Sequence, residues 1–136
     1  MEGRLRRRLI ILVLALALGL WLALNPIGKF GLHAFGFTVY SGIPVPYFDI
    51  TVHADGRLSL RRKSHYVPLS EVEALLKEKP DVIIVGIGYN QMVQVDEQVK
   101  KLPVEVKILE TSKAIEEFNR LKSQGKRVAA IIHTTC

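Results

Sequence analysis

The run Val82-Ile83-Ile84-Val85 constrains this chain more than any other stretch. Four consecutive apolar, mainly β-branched residues are too few for a helix, and Pro80 and Gly86 punctuate the two sides. Such a run predicts a strand buried on both faces. A strand without a wet face needs structure above and below it, so this segment demands a layered α/β domain. It leaves through Gly86-Ile87-Gly88, where two glycines bracket the strand exit.

The chain downstream alternates strand and helix. Ser70 followed by Glu73 forms a capping-box pattern behind Leu69, which predicts a helix running to about Lys79. Asp96 opens a short helix to Leu102, Val104–Leu109 is a strand, and Ser112–Gln124 is a helix with Ile115, Phe118 and Leu121 on one face. Gly125 follows as its C′ residue, and Arg127–His133 is a second wholly apolar strand. Strand–helix–strand succession implies right-handed crossovers and a mostly parallel central sheet. Upstream, Phe37–Tyr40, Tyr47–His53 and Arg57–Arg61 read as short strands, the last two joined by a turn at Asp55-Gly56. They predict an additional small antiparallel β layer. Arg61–Tyr66 is a basic patch, read as a solvated loop or strand end.

The N-terminus is of another kind. Leu9–Leu24 is unbroken apolar sequence with eleven Leu, Ile or Val. At about −0.3 to −0.6 kcal/mol each near the bilayer centre, these contribute on the order of −3 to −7 kcal/mol to insertion. Extended to Ile27, the segment spans about 28 Å as a helix, close to the ~30 Å hydrocarbon core. Asn25-Pro26 stops it, and Trp21 lies near its far end, where an indole favours the interface. A cleavage pattern of small residues is poorly matched, so the expectation is an uncleaved signal anchor. The expected organisation is a cytoplasmic basic tail over 1–8, one transmembrane helix over 9–27, a linker over 28–36 and a globular α/β domain over 37–136. Arg4, Arg6, Arg7 and Arg8 keep the N-terminus cytoplasmic, which sends the domain to the extracytoplasmic side.

Half of the formal charge of +6 sits in that tail, and the balance left to the domain gives no reason to expect nucleic acid as a partner. Cys136 is the only cysteine, so neither an intramolecular disulfide nor a cysteine-based zinc cluster can form. The histidines lack metal-ligand spacing, and no metal or other cofactor is expected. On an extended strand, His133 and Cys136 would point to opposite faces, which argues against a thiol–imidazole pair. With parallel strands, however, Gly86, Gly88, His133, Thr134 and Cys136 emerge at one sheet edge, where clefts form in open α/β sheets. Arg62, His65 and Asn119 are candidates to join that edge. It is read as a ligand or partner edge, suited to a small anion or a peptide terminus, without a catalytic residue.

Several of these residues carry a resemblance. The strand ending Gly86-Ile87-Gly88, the helix with Ala114 and Phe118-Asn119-Arg120-Leu121, and the closing Val128-Ala129-Ala130-Ile131-Ile132-His133-Thr134-Thr135-Cys136 resemble a widespread domain family of unassigned biochemistry. Tyr47, Asp49, Asp55-Gly56 and Arg62-Lys63-Ser64-His65 match it too. The family occurs in archaea, bacteria and mitochondria, and includes an adipogenesis-associated MTH-type domain protein and an assembly factor for mitochondrial complex I. The resemblance implies a layered α/β fold and no established catalysis. Ile87 stands where the family has Thr, and the N-terminal segment lies outside the family domain. The expectation is a membrane-anchored, non-enzymatic binding or assembly module with the bilayer and a protein as partners; the alternative is a small-ligand binder or enzyme using the Gly86–Gly88/His133–Cys136 edge.

Overall fold

The computed structural model describes Met1–Cys136. Helix α1 (Glu2–Leu24) has no buried residue along its 23 residues. It is followed by β1 (Phe30–Ala34), β2 (Phe37–Tyr40) and β3 (Ile43–Pro46), which form a three-stranded antiparallel sheet. Then come β4 (Asp49–Val52), β5 (Leu58–Arg61), β6 (Tyr66–Val67), α2 (Leu69–Leu76), β7 (Val82–Ile87) and β8 (Gln94–Val95). A 3₁₀ turn over Glu97–Lys101, β9 (Glu105–Leu109), α3 (Thr111–Ser123) and β10 (Val128–His133) complete the chain.

The central sheet has five strands in the order β5-β4-β10-β7-β9. It is mixed, which corrects the expectation of a mostly parallel sheet. The pairs β10–β7 and β7–β9 are parallel, whereas β10–β4 and β4–β5 are antiparallel. The reason lies in β10. All six of its residues are buried, so both of its edges need a partner. β7 covers one edge, and the β4–β5 hairpin covers the other with Ile50 and Val52 opposite Ile132 and Ala130. The separate antiparallel layer is therefore β1–β2–β3, and residues 28–36, expected as a linker, contain its first strand.

Alternation along β7 explains its continuous apolar run. Val82 and Ile84 join a cluster with Val128, Ala130 and Ile132, roofed by Ala114, Ile115, Phe118 and Leu121 of α3 and by Phe30, Tyr40 and Val45 of the small sheet. Ile83 and Val85 face the other way, onto Val72 and Leu75 of α2 together with Val67, Val93 and Val99. At ~1.5–3 kcal/mol per buried side chain, these two faces are the main stabilising contribution in the domain.

Helix ends follow local chemistry, with one exception. Gly125 (φ +79°) closes α3 with the Lys126 N–H donating to Leu121 O at 3.1 Å. The Asp96 carboxylate accepts from the Gln98 N–H, as an N-cap should. The Ser70–Glu73 box does not form. Pro68 is the cap of α2, no side chain bonds there, and the helix stops at Leu76. Ser70 lies inside the first turn because β6, paired with β8, ends just before Pro68 and starts the helix earlier.

Helix α1 is fastened to the domain at its C-terminal end. Asn25 is fully buried; its Nδ2 donates to Trp21 O at 3.1 Å, and its Oδ1 accepts from the Leu32 N–H at 2.8 Å. A Cβ on Gly31 would stand 2.1 Å from that Oδ1, so only glycine lets β1 pass. Trp21 Nε1 donates to Gly42 O at 3.0 Å, and the Gly28 N–H donates to Ser41 Oγ at 2.9 Å. The indole expected at the lipid interface is thus also a bolt between helix and small sheet.

Candidate functional site

The site grows from a cross-strand pair. Asp49 and Arg61 are register partners at the open end of the β4–β5 hairpin. The Asp49 carboxylate has no exposure and accepts four bonds. Arg61 Nη1 (2.9 Å) and His133 Nδ1 (2.9 Å) reach Oδ2, while Lys63 Nζ (2.8 Å) and the Thr134 N–H (3.2 Å) reach Oδ1. Arg61 also pairs with Glu71 of α2 at 2.7 Å. Two carboxylates and two cations balance, so Asp49 and Arg61 are buried without a net charge left over.

His133, the last residue of β10, gives its Nδ1–H to Asp49, which fixes the tautomer and leaves Nε2 as the acceptor. Thr135 Oγ1 lies 3.1 Å from that Nε2. Burial pushes the His133 pKa down, and Asp49 only partly opposes this, so the imidazole is held neutral.

Beyond His133 the chain leaves the sheet, and the opposite-face argument no longer applies. The tail is clasped by main-chain donors. The Gly36 N–H bonds Thr134 O and the Tyr89 N–H bonds Thr135 O, both at 2.8 Å. The Asn90 and Met92 N–H groups bond Cys136 O, each at 3.1 Å. Gly88 makes this possible. It has φ +99°, and a Cβ there would sit 2.3 Å from Cys136 backbone atoms. Gly86 serves packing instead, with Ile132 Cδ1 and Ala114 Cβ at 3.0 and 3.3 Å from where its Cβ would be.

The returned tail brings Cys136 Sγ to 3.3 Å from His65 Nε2. The His65 and His133 rings meet edge to face at 5.1 Å. One ring nitrogen of each histidine and the thiol lie within 4.8 Å of one another. The expected edge is therefore assembled from Gly88, His65, His133, Thr134 and Cys136. Gly86 packs beneath it, and two further expected members lie elsewhere. Asn119 holds β1, accepting from the Phe30 N–H at 2.9 Å and donating to Phe30 O at 2.8 Å, because its helix faces the small sheet. Arg62, just past the end of β5, is exposed, while its neighbours Arg61 and Lys63 turn inward to Asp49.

Five residues of the network were not singled out by sequence reasoning. Asp49, Lys63 and Thr135 entered only within longer patterns, and Glu71 and Thr111 did not enter. Thr111 Oγ1 accepts from the Gly88 N–H at 2.9 Å and donates to His133 O at 2.6 Å, locking β7, β10 and α3 together. The available signal for Asp49 was an acidic residue facing a basic one across a hairpin.

Aromatic side chains flank the tail. Phe35 and Tyr89 approach to 6.1 Å, and Tyr47 and Phe48 to 6.2 Å, with Lys63 Nζ 4.9 Å above the Tyr47 ring. Phe35, Tyr47 and Phe48 are exposed by 59%, 61% and 46%. None of the surface depressions is lined by His65, His133 or Cys136.

A family model described as "Protein of unknown function (DUF498/DUF598)" matches residues 32–133. The chain belongs to this family. A solved structure named MT938 is 37% identical, with 79% of this chain and 98% of that chain covered at a TM-score of 0.70. A conserved hypothetical protein, PH1505 from Pyrococcus horikoshii OT3, is 32% identical over 79% of this chain and 99% of its own, also at 0.70. A protein from Bartonella henselae described as an outer membrane protein shares the fold at 14% identity and a TM-score of 0.68, covering 81% of this chain and 97% of its own. Helix α1 lies outside the residues matched by the family model.

Proposed function

We propose that this DUF498/DUF598 member is a membrane-anchored, non-enzymatic binding or assembly module whose domain lies on the extracytoplasmic side. The observation that carries the reading is the joint between α1 and the domain. An apolar helix long enough to cross a bilayer, with no buried residue and only Trp21 and Leu22 partly covered, ends in the buried Asn25. A cleavable or passive leader has no need of such a joint. Around it, Ile27, Leu32 and Ile43 are exposed by 70%, 49% and 50%, next to residues that touch the helix end. They form an apolar collar at the level where the helix leaves the lipid.

Binding rather than catalysis is favoured by the site. It has no enclosing cavity, whereas small-molecule sites are concave and bury most of their ligand. Its exposed aromatics, Phe35, Tyr47 and Phe48, are the residue types enriched at protein interfaces. The four arginines before the span keep the N-terminus cytoplasmic under the positive-inside rule.

The test is purification of the full-length chain from detergent-solubilised native membranes, beside the double variant Tyr47→Ala/Phe48→Ala. A stoichiometric protein that accompanies the wild type and is lost from the variant supports the reading. A bound metabolite instead, with no protein, transfers the function to small-ligand binding at the Gly86–Gly88/His133–Cys136 edge.

A further inference from the structure

The geometry points to a divalent-metal site at His65, His133 and Cys136, selective for a cation that prefers imidazole and thiolate, with Zn²⁺ as the fitting case. The expectation from sequence was that no metal binds, because spacing in the chain gave no ligand pattern. Folding supplies what spacing lacked: the three ligand atoms come from β10, its tail and the loop after β5, and lie within 4.8 Å of one another. Tetrahedral zinc, at about 2.3 Å from sulfur and 2.0–2.1 Å from nitrogen, sets its ligand atoms roughly 3.3–3.6 Å apart. His65 Nε2 and Cys136 Sγ are already 3.3 Å apart. His65 is exposed, so its ring is free to adjust toward the other two ligand atoms.

The outer shell is also present. Asp49 accepts from His133 Nδ1 at 2.9 Å, the carboxylate–histidine arrangement that orients a ligating imidazole and raises its basicity. Thr135 Oγ1 is the group that a cation at His133 Nε2 would displace, 3.1 Å away. The nearest ammonium, Lys63, is held on Asp49 at 2.8 Å, so its charge is compensated. Three protein ligands leave a fourth position open, which suits an exchangeable ligand better than a closed structural site.

The experiment uses the full-length, tag-free chain in detergent with its thiol kept reduced, and the probes are Co²⁺ and then Zn²⁺ alone. The expected result is one Co²⁺ per chain, with the visible absorption of a tetrahedral site and a near-ultraviolet thiolate-to-cobalt band, both erased by one equivalent of Zn²⁺. His65→Ala and Cys136→Ser should each weaken binding at least 100-fold while the far-ultraviolet circular dichroism stays unchanged; neither side chain lies in the apolar core. Failure to bind one equivalent, lack of the thiolate band, or equal affinity in the wild type and both variants overturns the assignment.

Discussion

Asp49→Asn tests the buried network where it is most exacting. The wild-type carboxylate receives donors from Arg61, Lys63, His133 and the Thr134 backbone, and has no exposure. Asn keeps the shape but removes the charge, and turns one acceptor into an NH₂ group facing donors. Lys63, 15% exposed, then loses its only carboxylate, and Arg61, 7% exposed, is left with Glu71 alone, so two cations share one counter-charge. Breaking one side of a buried pair costs about 3–5 kcal/mol. With 1 kcal/mol worth roughly 4–8 °C in a domain of this size, the melting midpoint should fall by at least about 12 °C. The internal control is Asp55→Asn, which removes an ion pair with Arg57 whose side chains are 49% and 69% exposed. Solvent and salt screen such an exposed pair, so that midpoint should move little. The assay is thermal unfolding in detergent followed by the near-ultraviolet signal of the domain tyrosines. An Asp49→Asn protein that melts within a few degrees of the wild type would refute the claim that this carboxylate organises the site.

Three further outcomes are expected. Asn25→Ala orphans the Leu32 N–H, at a cost of about 1–3 kcal/mol, and should speed hydrogen exchange at Leu32 without releasing the protein from membranes; unchanged exchange would show that the joint is not rigid. Gly88→Ala places a Cβ against the Cys136 backbone at positive φ, so exchange at Asn90 and Met92 should rise at an overpacking cost of about 1–3 kcal/mol; unaltered exchange there would contradict the clasp. Arg120 and then Lys107 bond Glu117 and lower its pKa from 4.5 to about 2, so its contribution to stability is present above pH 4.5 and lost as the pH falls toward 2. Glu117→Gln should therefore lower the melting midpoint at pH 7 and converge on the wild type near pH 2–3; a constant offset at all pH values would exclude this linkage.

What could be read from the chain followed from how local each signal is. The strands β7 and β10 and the helix α3 announced themselves because burial on both faces, or a repeating apolar stripe with Gly125 behind it, is written within a dozen residues. The partner of β10's second edge was not legible, since nothing in Asp49–Val52 states that it pairs with a strand about 80 residues later. The same limit hid the metal-ligand cluster. Its three members sit at 65, 133 and 136, and only the departure of the chain from β10 after His133 undoes the alternation that separates His133 from Cys136. Asn119 was misplaced for a related reason: its position on α3 was correct, but the face it occupies meets β1, a strand hidden in a segment read as linker.

The central claim, an anchored domain facing away from the cytoplasm, has a native reporter in Cys136, the only thiol in the chain. Intact cells treated with a chelator and then a membrane-impermeant maleimide should yield full-length protein that is labelled and stays in the pellet after carbonate extraction. Protein found in the carbonate supernatant, or labelled only after the membrane is broken, would contradict the account.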